Sequence, residues 1–569
     1  FDGRDLISSI NFISNIRGSY QYRTLERYLL DLVPDFQAQR AVGGSKAYSG
    51  NNYALYGFGN DDWKVTRNFS VSLGLRYEFT AVPRSMKEYT LNSLADVPGV
   101  LTFFEPQPQK KNFAPRIGFA YSPGKSATTS IRGGFGIAYD QIFDNIGLNV
   151  RPPQVSSVVN STVTDTPGYL AGGGILPMAT PASLTAAQAR AATTGWLDNQ
   201  KLGYAINWNF GVQHVFAKDY VVDVRYLGTK GVHLLLQTQL GRAAVVTDTN
   251  YLPTYLQAPS QDQLNSLPLT LTQLTSQRNA SANTLAPYGF SSVITSYVPQ
   301  GNSEYHGLAV DVSKRLSGHL TFKGAYTWSH LMDDSTMELN FTALTPRRPQ
   351  DFLNLGPEWA SSALDRRHRL TLTWLYQTPW FEKNQSWFLR NLLGNYQVAG
   401  VYTAESPEWV TPQSATDANM NTDTAGDRVI VNPNGIFGTG SDVTQLKNAA
   451  GQVVAYLAVN PTAQFIRASS GALATSGRNV LPTSPINNFD INVVKAFTAG
   501  ERYHVELRAD FYNTLNHPQY TPGRLNNVLF SSHINETNYL TPGNPLFAKW
   551  DQVFVSNARV IQLAAKFIF

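Results

Sequence analysis

The feature that most constrains this chain is a period of two in its apolar residues. From residue 69 to residue 79 every odd position is apolar, and every even position is polar or glycine. Such alternation places one set of side chains on each face of an extended strand. The runs span roughly ten residues, the length that a tilted strand needs to cross a bilayer. Equivalent runs lie at 131–139, 206–212, 220–226, 320–328, 370–376 and 503–511.

The connections between these runs alternate between short and long. Outer-membrane barrels show that rhythm, because their periplasmic turns are tight and their extracellular loops are extended. We therefore predict an all-β fold, an antiparallel transmembrane β-barrel with about 14 strands in residues 36–569. Residues 1–35 are predicted to be an N-terminal segment whose strands continue from an upstream region. The short links are predicted at 64–68, 123–127, 217–219, 316–319 and 498–501, and the long segments at 81–112, 141–202, 231–303, 331–365, 407–487 and 515–556.

The composition excludes several other classes of protein. Charged residues make up 15% of the chain, against roughly 25% in soluble domains. Without cysteine there is no disulfide, thiolate metal site or thiol nucleophile. The formal net charge is only +5 and this small excess is spread along the chain, so we expect no nucleic-acid binding. The sequence has no run of about 18 apolar residues that predicts a transmembrane helix, and no recognised catalytic motif, so we expect no enzyme activity.

The carboxyl-terminal strand is amphipathic and ends in an aromatic residue. Its apolar side chains fall on one face, as those of the earlier runs do. A terminal strand of this kind is typical of the signal that the bacterial outer-membrane assembly machinery reads. The alternative is the last strand of a soluble β protein. The apolar positions are Ile561, Leu563, Phe567 and Phe569.

A series of short motifs resembles the barrel of Oar-like TonB-dependent receptors. The first hairpin carries Asn52-Tyr-Ala-Leu-Tyr56 and Asp61-Asp-Trp-Lys-Val65, and the next strand carries Leu73-Gly-Leu-Arg-Tyr-Glu78. Together the motifs cover most of the chain from about residue 20 onward. The later ones lie at 114–121, 131–136, 226–234, 325–329, 365–369 and 511–518.

The resemblance implies a 22-stranded barrel of the Gram-negative cell outer membrane, with a plug and a TonB box upstream of Phe1. It implies energised solute transport across that membrane, with the long loops capturing an unknown solute. The implied partners are outer-membrane lipid and lipopolysaccharide, the assembly machinery, and a TonB-type energy-coupling complex that acts through the N-terminal region. A surface scaffold or adhesin on the same barrel, without TonB-driven transport, is the first alternative. A soluble secreted β protein is the second.

Charged side chains alternate along two of the predicted strands, on the face opposite the apolar one. A polar face of a membrane barrel lines its lumen. These groups either line a solute path and hold a plug, or form internal ion pairs that stiffen the wall. The candidates for this polar wall are Arg76, Glu78, Arg502, His504, Glu506, Arg508 and Asp510.

Two further groups are candidates for contacts with the membrane. Arg366, Arg367, His368 and Arg369 open one strand; they either bind lipopolysaccharide phosphates or an anionic substrate, or are ordinary charges at the barrel rim. A set of aromatic residues fits the girdles that sit at the lipid headgroups, with glycan stacking as the alternative. Its members are Trp63, Tyr77, Tyr226, Trp328, Trp374 and Tyr376.

One loop spaces its oxygen ligands at alternate residues, as calcium loops do. Calcium accepts six to eight oxygen ligands, so a structural Ca²⁺ is a hypothesis here. The loop lacks the glycine at position six and the glutamate at position twelve that an EF-hand needs. A polar loop built from Asx turns is the alternative. The candidate ligands are Asp417, Asn419, Asn421, Asp423 and Asp427.

Overall fold

The computed structural model contains one large antiparallel sheet with fourteen strands in a continuous path. It describes residues 1–7, 9–10, 18–41, 48–83, 93–104, 106–124, 128–141, 146, 156–159, 167–175, 185–197, 201–217, 219–336, 348–381, 383–499, 503–520, 538–554 and 556–568. The path strands are β1 Asp2–Leu6, β2 Asn52–Lys64, β3 Phe69–Thr80, β4 Phe113–Tyr121, β5 Thr129–Tyr139, β6 Tyr204–Phe216, β7 Tyr220–Leu240, β8 Ile294–Ser317, β9 Leu320–Asp333, β10 His368–Gln377, β11 Tyr396–Glu405, β12 Ile486–Ala499, β13 Tyr503–Tyr512 and β14 Val560–Ile568.

Each path strand pairs with its neighbours along the chain, which confirms the predicted antiparallel order. The register is staggered, because one row of paired residues climbs from one end of the sheet to the other. It starts at Phe69, the first residue of β3, and reaches Ala404 near the end of β11. A stagger of this kind is the shear that a tilted-strand barrel requires. The members of the row between them are Tyr121, Ile131, Val212, Val224, Val310, Tyr326 and Leu370.

The outer face of the sheet, which carries the apolar alternating residues, is open to the surroundings. Leu75 is 52% exposed and Leu563 is 77% exposed. A water-soluble sandwich would bury such residues between two packed sheets. The alternation instead gives a greasy exterior and a polar inner face, the arrangement of a membrane barrel.

Five of the six turns at one end of the sheet are short, as predicted, and the sixth is long. The tenth strand ends at Gln377 and the eleventh begins at Tyr396, so the connection between them is 18 residues long. The alternation pattern predicts no short link at this position. This long connection includes a π-helix at Leu389–Leu393.

The long connections carry the remaining elements. The helices are Leu25–Leu29, Ala186–Ala192, Gln261–Asn265, Leu271–Ser281 and Trp550–Val553, and the 3₁₀ turns are Ala286–Tyr288, Gly356–Glu358 and Asn538–Leu540. Among the described residues no helix has the length and apolar character that a membrane span requires. The short strands are Ser9–Ile10, Ser19–Gln21, Gln37–Ala41, Tyr48–Ser49, Ser156–Val159, Gly195–Leu197, Thr254–Tyr255, Ala360–Ser361, Trp409–Val410, Ile430–Val431, Ile436–Ser441, Val443–Lys447, Val453–Ala458, Ala463–Ile466 and Leu481–Pro482.

Most of the buried hydrophobic residues lie in the long connections, and one cluster also includes Ile294 and Tyr297 at the start of β8. We call the described parts of 81–103, 241–293, 348–365, 406–485 and 538–554 the loop layer. Leu252, Leu274 and Tyr456 are buried together in one cluster of this layer, and Phe465 and Trp550 belong to another. The loop layer is therefore a packed structure with its own interior, built across the loop end of the sheet.

Both edges of the main sheet are open in the described structure. Strand β1 pairs with only residues 52–56 of β2, so residues 57–64 have one free edge. Strand β14 forms the opposite edge and pairs with β13 alone. Backbone groups inside a bilayer must find hydrogen-bond partners, so both edges must be paired in the membrane.

Candidate functional site

The candidate polar wall lies on the inner face of the sheet, where ion pairs join residues two apart on the same strand. Arg76 contacts Glu78 at 2.8 Å from Nε to Oε1, and its guanidinium lies 4.4 Å from the ring centroid of Tyr56. Arg508 contacts Asp510 at 2.8 Å from Nε to Oδ2. These pairs match the stiffening role, and they leave a line of polar groups along the wall.

Other members of the wall were missed by the sequence analysis or lie apart from these pairs. Arg225 bridges Asp223, at 3.3 Å, and Asp311 on the next strand. The sequence alternation could have identified these residues, because they occupy inner positions of predicted strands. His504 and Glu506 are half-buried on the same face of β13. Arg502 lies outside the described residues.

The basic residues that open β10 already have partners within the chain. Arg366 pairs with Glu408, and Arg369 contacts Glu405 at 2.8 Å. Arg367 lies 3.5 Å from the carboxylate of Asp365. The imidazole Nδ1 of His368 is hydrogen-bonded to the Tyr326 hydroxyl at 2.8 Å. Local pairing of this kind is what ordinary rim charges require, and the binding of lipopolysaccharide phosphate stays a prediction.

All six candidate girdle aromatics lie on the outer face of the sheet. Trp63 and Trp328 are exposed there, while the Tyr226 hydroxyl is hydrogen-bonded to His306. The rings of Trp374 and Tyr77 pack on Phe489 and Phe113, at 5.6 and 5.1 Å between ring centroids. Tyr376 is half-buried two residues beyond Trp374 on the same face. A position toward lipid fits the girdle better than glycan binding in the lumen.

The candidate calcium loop is buried in the loop layer and folded by its own side chains. Asp417 accepts hydrogen bonds from the backbone N–H groups of Asn421, at 2.9 Å, and Thr422, at 3.0 Å. The Asn421 side chain accepts from the Asp423 N–H at 2.7 Å, which continues a ladder of Asx turns.

Two arginines form ion pairs with carboxylates of this loop. Arg278 lies 2.8 Å from Asp417, and Arg348 lies 2.9 Å from Asp423. One carboxylate oxygen of Asp427 is buried and has no hydrogen-bond partner among the described residues. Burial and the nearby Asp417 raise the pKa of Asp427 well above its usual value. Across the described residues, no three His, Cys, Asp or Glu side chains are grouped as metal ligands, so the calcium ion stays a hypothesis.

A buried ion-pair network joins the loop layer to the loop end of the sheet. Arg478 binds the carboxylate and carbonyl of Asp333 at the end of β9, and its Nη1 donates to the Thr336 hydroxyl at 3.2 Å. Arg428 binds Glu358, whose backbone carbonyl accepts from Arg478 Nε at 3.1 Å. Sequence reasoning missed this network, because its members are separated by up to 145 residues.

Two cavities adjoin these groups. One of about 610 Å³ lies against the inner face and is bordered by Asp490 and Arg508. The other, of about 350 Å³, lies in the loop layer and is bordered by Asp351, Glu358 and Arg428. Both volumes fall in the range of small-molecule sites, which is roughly 300–1,000 Å³.

The last strand keeps the apolar positions of its sequence pattern on the outer face. Ile561 lies opposite Phe511 in register, and Phe567 lies opposite Val505. Leu563 is exposed on the same face, and Phe569 lies outside the described residues. The strand ends at the turn end of the sheet, as an inward-running last strand must.

An apolar outer face, a polar inner face and long loops at one end define an outer-membrane β-barrel protein. The sequence matches the outer membrane beta barrel domain family over residues 4–562, and the chain belongs to that family. Its location in the outer membrane of a Gram-negative bacterium follows. A search of curated proteins found no match.

Solved outer-membrane structures resemble the chain at low identity. The transporter YddB from Escherichia coli shares 9% identity, with a TM-score of 0.42 and coverage of 93% of this chain and 47% of that one. The siderophore receptor PirA from Acinetobacter baumannii shares 10%, with a TM-score of 0.40 and coverage of 93% and 47%. The FrpB iron transporter from Neisseria meningitidis shares 11%, with a TM-score of 0.39 and coverage of 92% and 46%. The chain thus spans about half the length of these proteins.

Proposed function

We propose that this chain forms the wall and loop layer of an Oar-like TonB-dependent receptor, which moves a solute across the outer membrane in an energised step. The observation that carries the proposal is the combination of a charged inner face with a packed loop layer at one end. A passive porin needs a water-filled channel. A receptor that works against a gradient must instead hold its solute first, and a layer with its own core can present a fixed binding surface.

The two cavities suggest the chemistry of the solute. Glu358 and Arg428 border the cavity in the loop layer, and Asp490 and Arg508 border the one on the inner face. Fixed charges of both signs favour a polar solute with hydrogen-bonding groups of its own over an apolar one. We expect capture in the loop layer, followed by passage along the inner face.

The proposed partners follow from the resemblance to the receptor family. A TonB-type complex would act through the N-terminal region, and a plug would rest against the polar wall. Lipopolysaccharide would surround the rim near Arg369, and the assembly machinery would read the last strand.

The test compares strains with and without the gene for the full-length protein, each in a TonB-competent and a TonB-null background. Mass spectrometry of the spent growth medium records which compounds each strain depletes. We expect at least one polar compound whose depletion requires both the gene and TonB. Equal depletion in all four strains would refute transport, and loss of surface attachment in its place would favour the scaffold or adhesin.

A further inference from the structure

The described part of the long turn, residues 379–381 and 383–394 and here called the turn segment, exposes an unusual number of apolar side chains. It belongs to the turn end of the sheet, which faces the periplasm. Single exposed apolar residues are ordinary, whereas a contiguous group marks a contact surface. The exposed residues are Trp380, Phe381, Trp387, Phe388, Leu392 and Leu393.

The turn segment is fixed to the neighbouring strand by buried polar contacts. Asn391 is buried, and its Oδ1 accepts from the Thr498 N–H at 2.7 Å. The indole Nε1 of Trp387 donates to the Thr498 carbonyl at 2.9 Å. Pairing between β11 and β12 ends at Tyr396 and Lys495, so these two side chains bond β12 backbone groups beyond the end of that pairing. The apolar group is therefore held in place and is not a loose loop.

Lys495 shows on which side of the wall the turn segment lies. Lys495 alternates with Val493 and Phe497, so it occupies an outer-face position of β12. It is only 7% exposed, because its Nζ donates to the Gly394 carbonyl and lies 4.2 Å from the centroid of the Tyr396 ring. The Gly394 end of the turn segment therefore lies over an outer-face residue of β12.

The backbone around Gly394, whose carbonyl accepts the hydrogen bond from Lys495, is closely packed. A Cβ there would lie 2.6 Å from the Arg390 carbonyl oxygen and 2.7 Å from that of Trp380. The two ends of the turn segment therefore meet at a position where only glycine fits. This end of the turn segment lies over Lys495 and continues the lipid-facing surface of the sheet.

We propose that the turn segment is a membrane anchor that inserts its aromatic and leucine side chains into the periplasmic leaflet of the outer membrane. Its occupant is lipid, because the exposed group continues the outer face that already meets acyl chains. Tryptophan and phenylalanine favour the headgroup boundary. Lys383 and Arg390 belong to the same segment and add positive charge for lipid phosphates.

The absence of cysteine makes a direct test simple. Single cysteines at Phe388 and Leu392 carry a nitroxide label, and Phe437→Cys, an exposed position of the loop layer, is the matched control. The full chain is folded into vesicles of phosphatidylethanolamine and phosphatidylglycerol, and heat-modifiable gel migration verifies the fold. Electron paramagnetic resonance then measures collisions with oxygen, which concentrates in acyl chains, and with a water-soluble nickel chelate.

We expect the oxygen-to-nickel collision ratio at positions 388 and 392 to exceed that at 437 severalfold. A ratio equal to that at 437 would place the turn segment in water and overturn the anchor. Exclusion of both reagents would also overturn it, because a second copy or another protein would then cover the surface. An Asn391→Ala variant removes the hydrogen bond to the Thr498 N–H and should lower the ratio at 392, while the ratio at 437 stays unchanged.

Discussion

Replacing Arg478 by methionine should open the loop layer without unfolding the main sheet. Arg478 and its partner Asp333 have side chains only 2% and 8% exposed. The same arginine donates to the Thr336 hydroxyl and the Glu358 carbonyl. Methionine fills similar space, so the variant removes the charge and hydrogen bonds more than the packing.

The expected size of the effect follows from the burial of both partners. Removing one member of a buried ion pair costs about 3–5 kcal/mol, because the other charge remains buried and unpaired. Since each 1.4 kcal/mol is a factor of ten, the open population should rise by roughly two to nearly four powers of ten. The Arg467–Asp442 pair is the control: its side chains are 29% and 48% exposed at 3.5 Å. Such a pair contributes about 1 kcal/mol at most.

The assay is limited proteolysis of protein folded in lipid vesicles, with cleavage sites located by mass spectrometry. When opening is fast relative to cleavage, the cleavage rate follows the open population. We expect Arg478→Met to accelerate cleavage within 406–485 far more than Arg467→Met. A double variant with Asp333→Leu should recover much of the loss, since no charge is then left unpaired. Equal rates for the two single variants would refute the network as the fastening of the loop layer.

Three further changes test other parts of the molecule. The pKa of Asp427 is raised in the native state, so the native state holds a proton that the unfolded state loses, and the stability of the protein falls as pH rises above about 4. Asp427→Asn should therefore resist proteolysis better than wild type at pH 7. If the calcium hypothesis holds, Ca²⁺ should protect wild type from proteolysis but not this variant. Gly400→Ala places a Cβ 2.1 Å from the Trp374 ring and should lower the free energy of unfolding in urea by about 1–3 kcal/mol, whereas Gly59→Ala, with nothing within 4 Å, should not. Deleting residues 567–569 should abolish heat-modifiable migration of protein expressed in cells if the assembly machinery reads the last strand.

The strands could be predicted from the sequence because their signal is local. Alternation in Phe69–Phe79 reports the two faces of a strand whatever its neighbours are. The loop layer left no such signal, since Leu252 meets Ala472 across 220 residues with no shared period. The polar wall was recognised at Arg76 and Glu78 but missed at Arg225, although the same alternation places it on the inner face.

The turn segment shows a different limit of sequence reasoning. Trp387 and Phe388 stand out in the sequence, but a local pattern cannot say whether they turn toward lipid, lumen or water. Lys495 decides the question only after folding, because its burial depends on a carbonyl from Gly394, a hundred residues away. Alternation alone would have marked this lysine as an error in an apolar face.

The main sheet is stabilised in lipid and the loop layer in water, so we expect the two parts to unfold separately. The main sheet exposes its apolar residues and depends on strand hydrogen bonds that have no competitor in lipid. The loop layer buries Leu252, Leu274 and Tyr456 away from water, so it depends on the hydrophobic effect. Urea weakens the second far more directly than the first, because it acts from the aqueous side. In vesicles, loss of the loop layer should therefore precede loss of the sheet, as two transitions, and a single concerted transition would show that the network through Arg478 couples them into one unit.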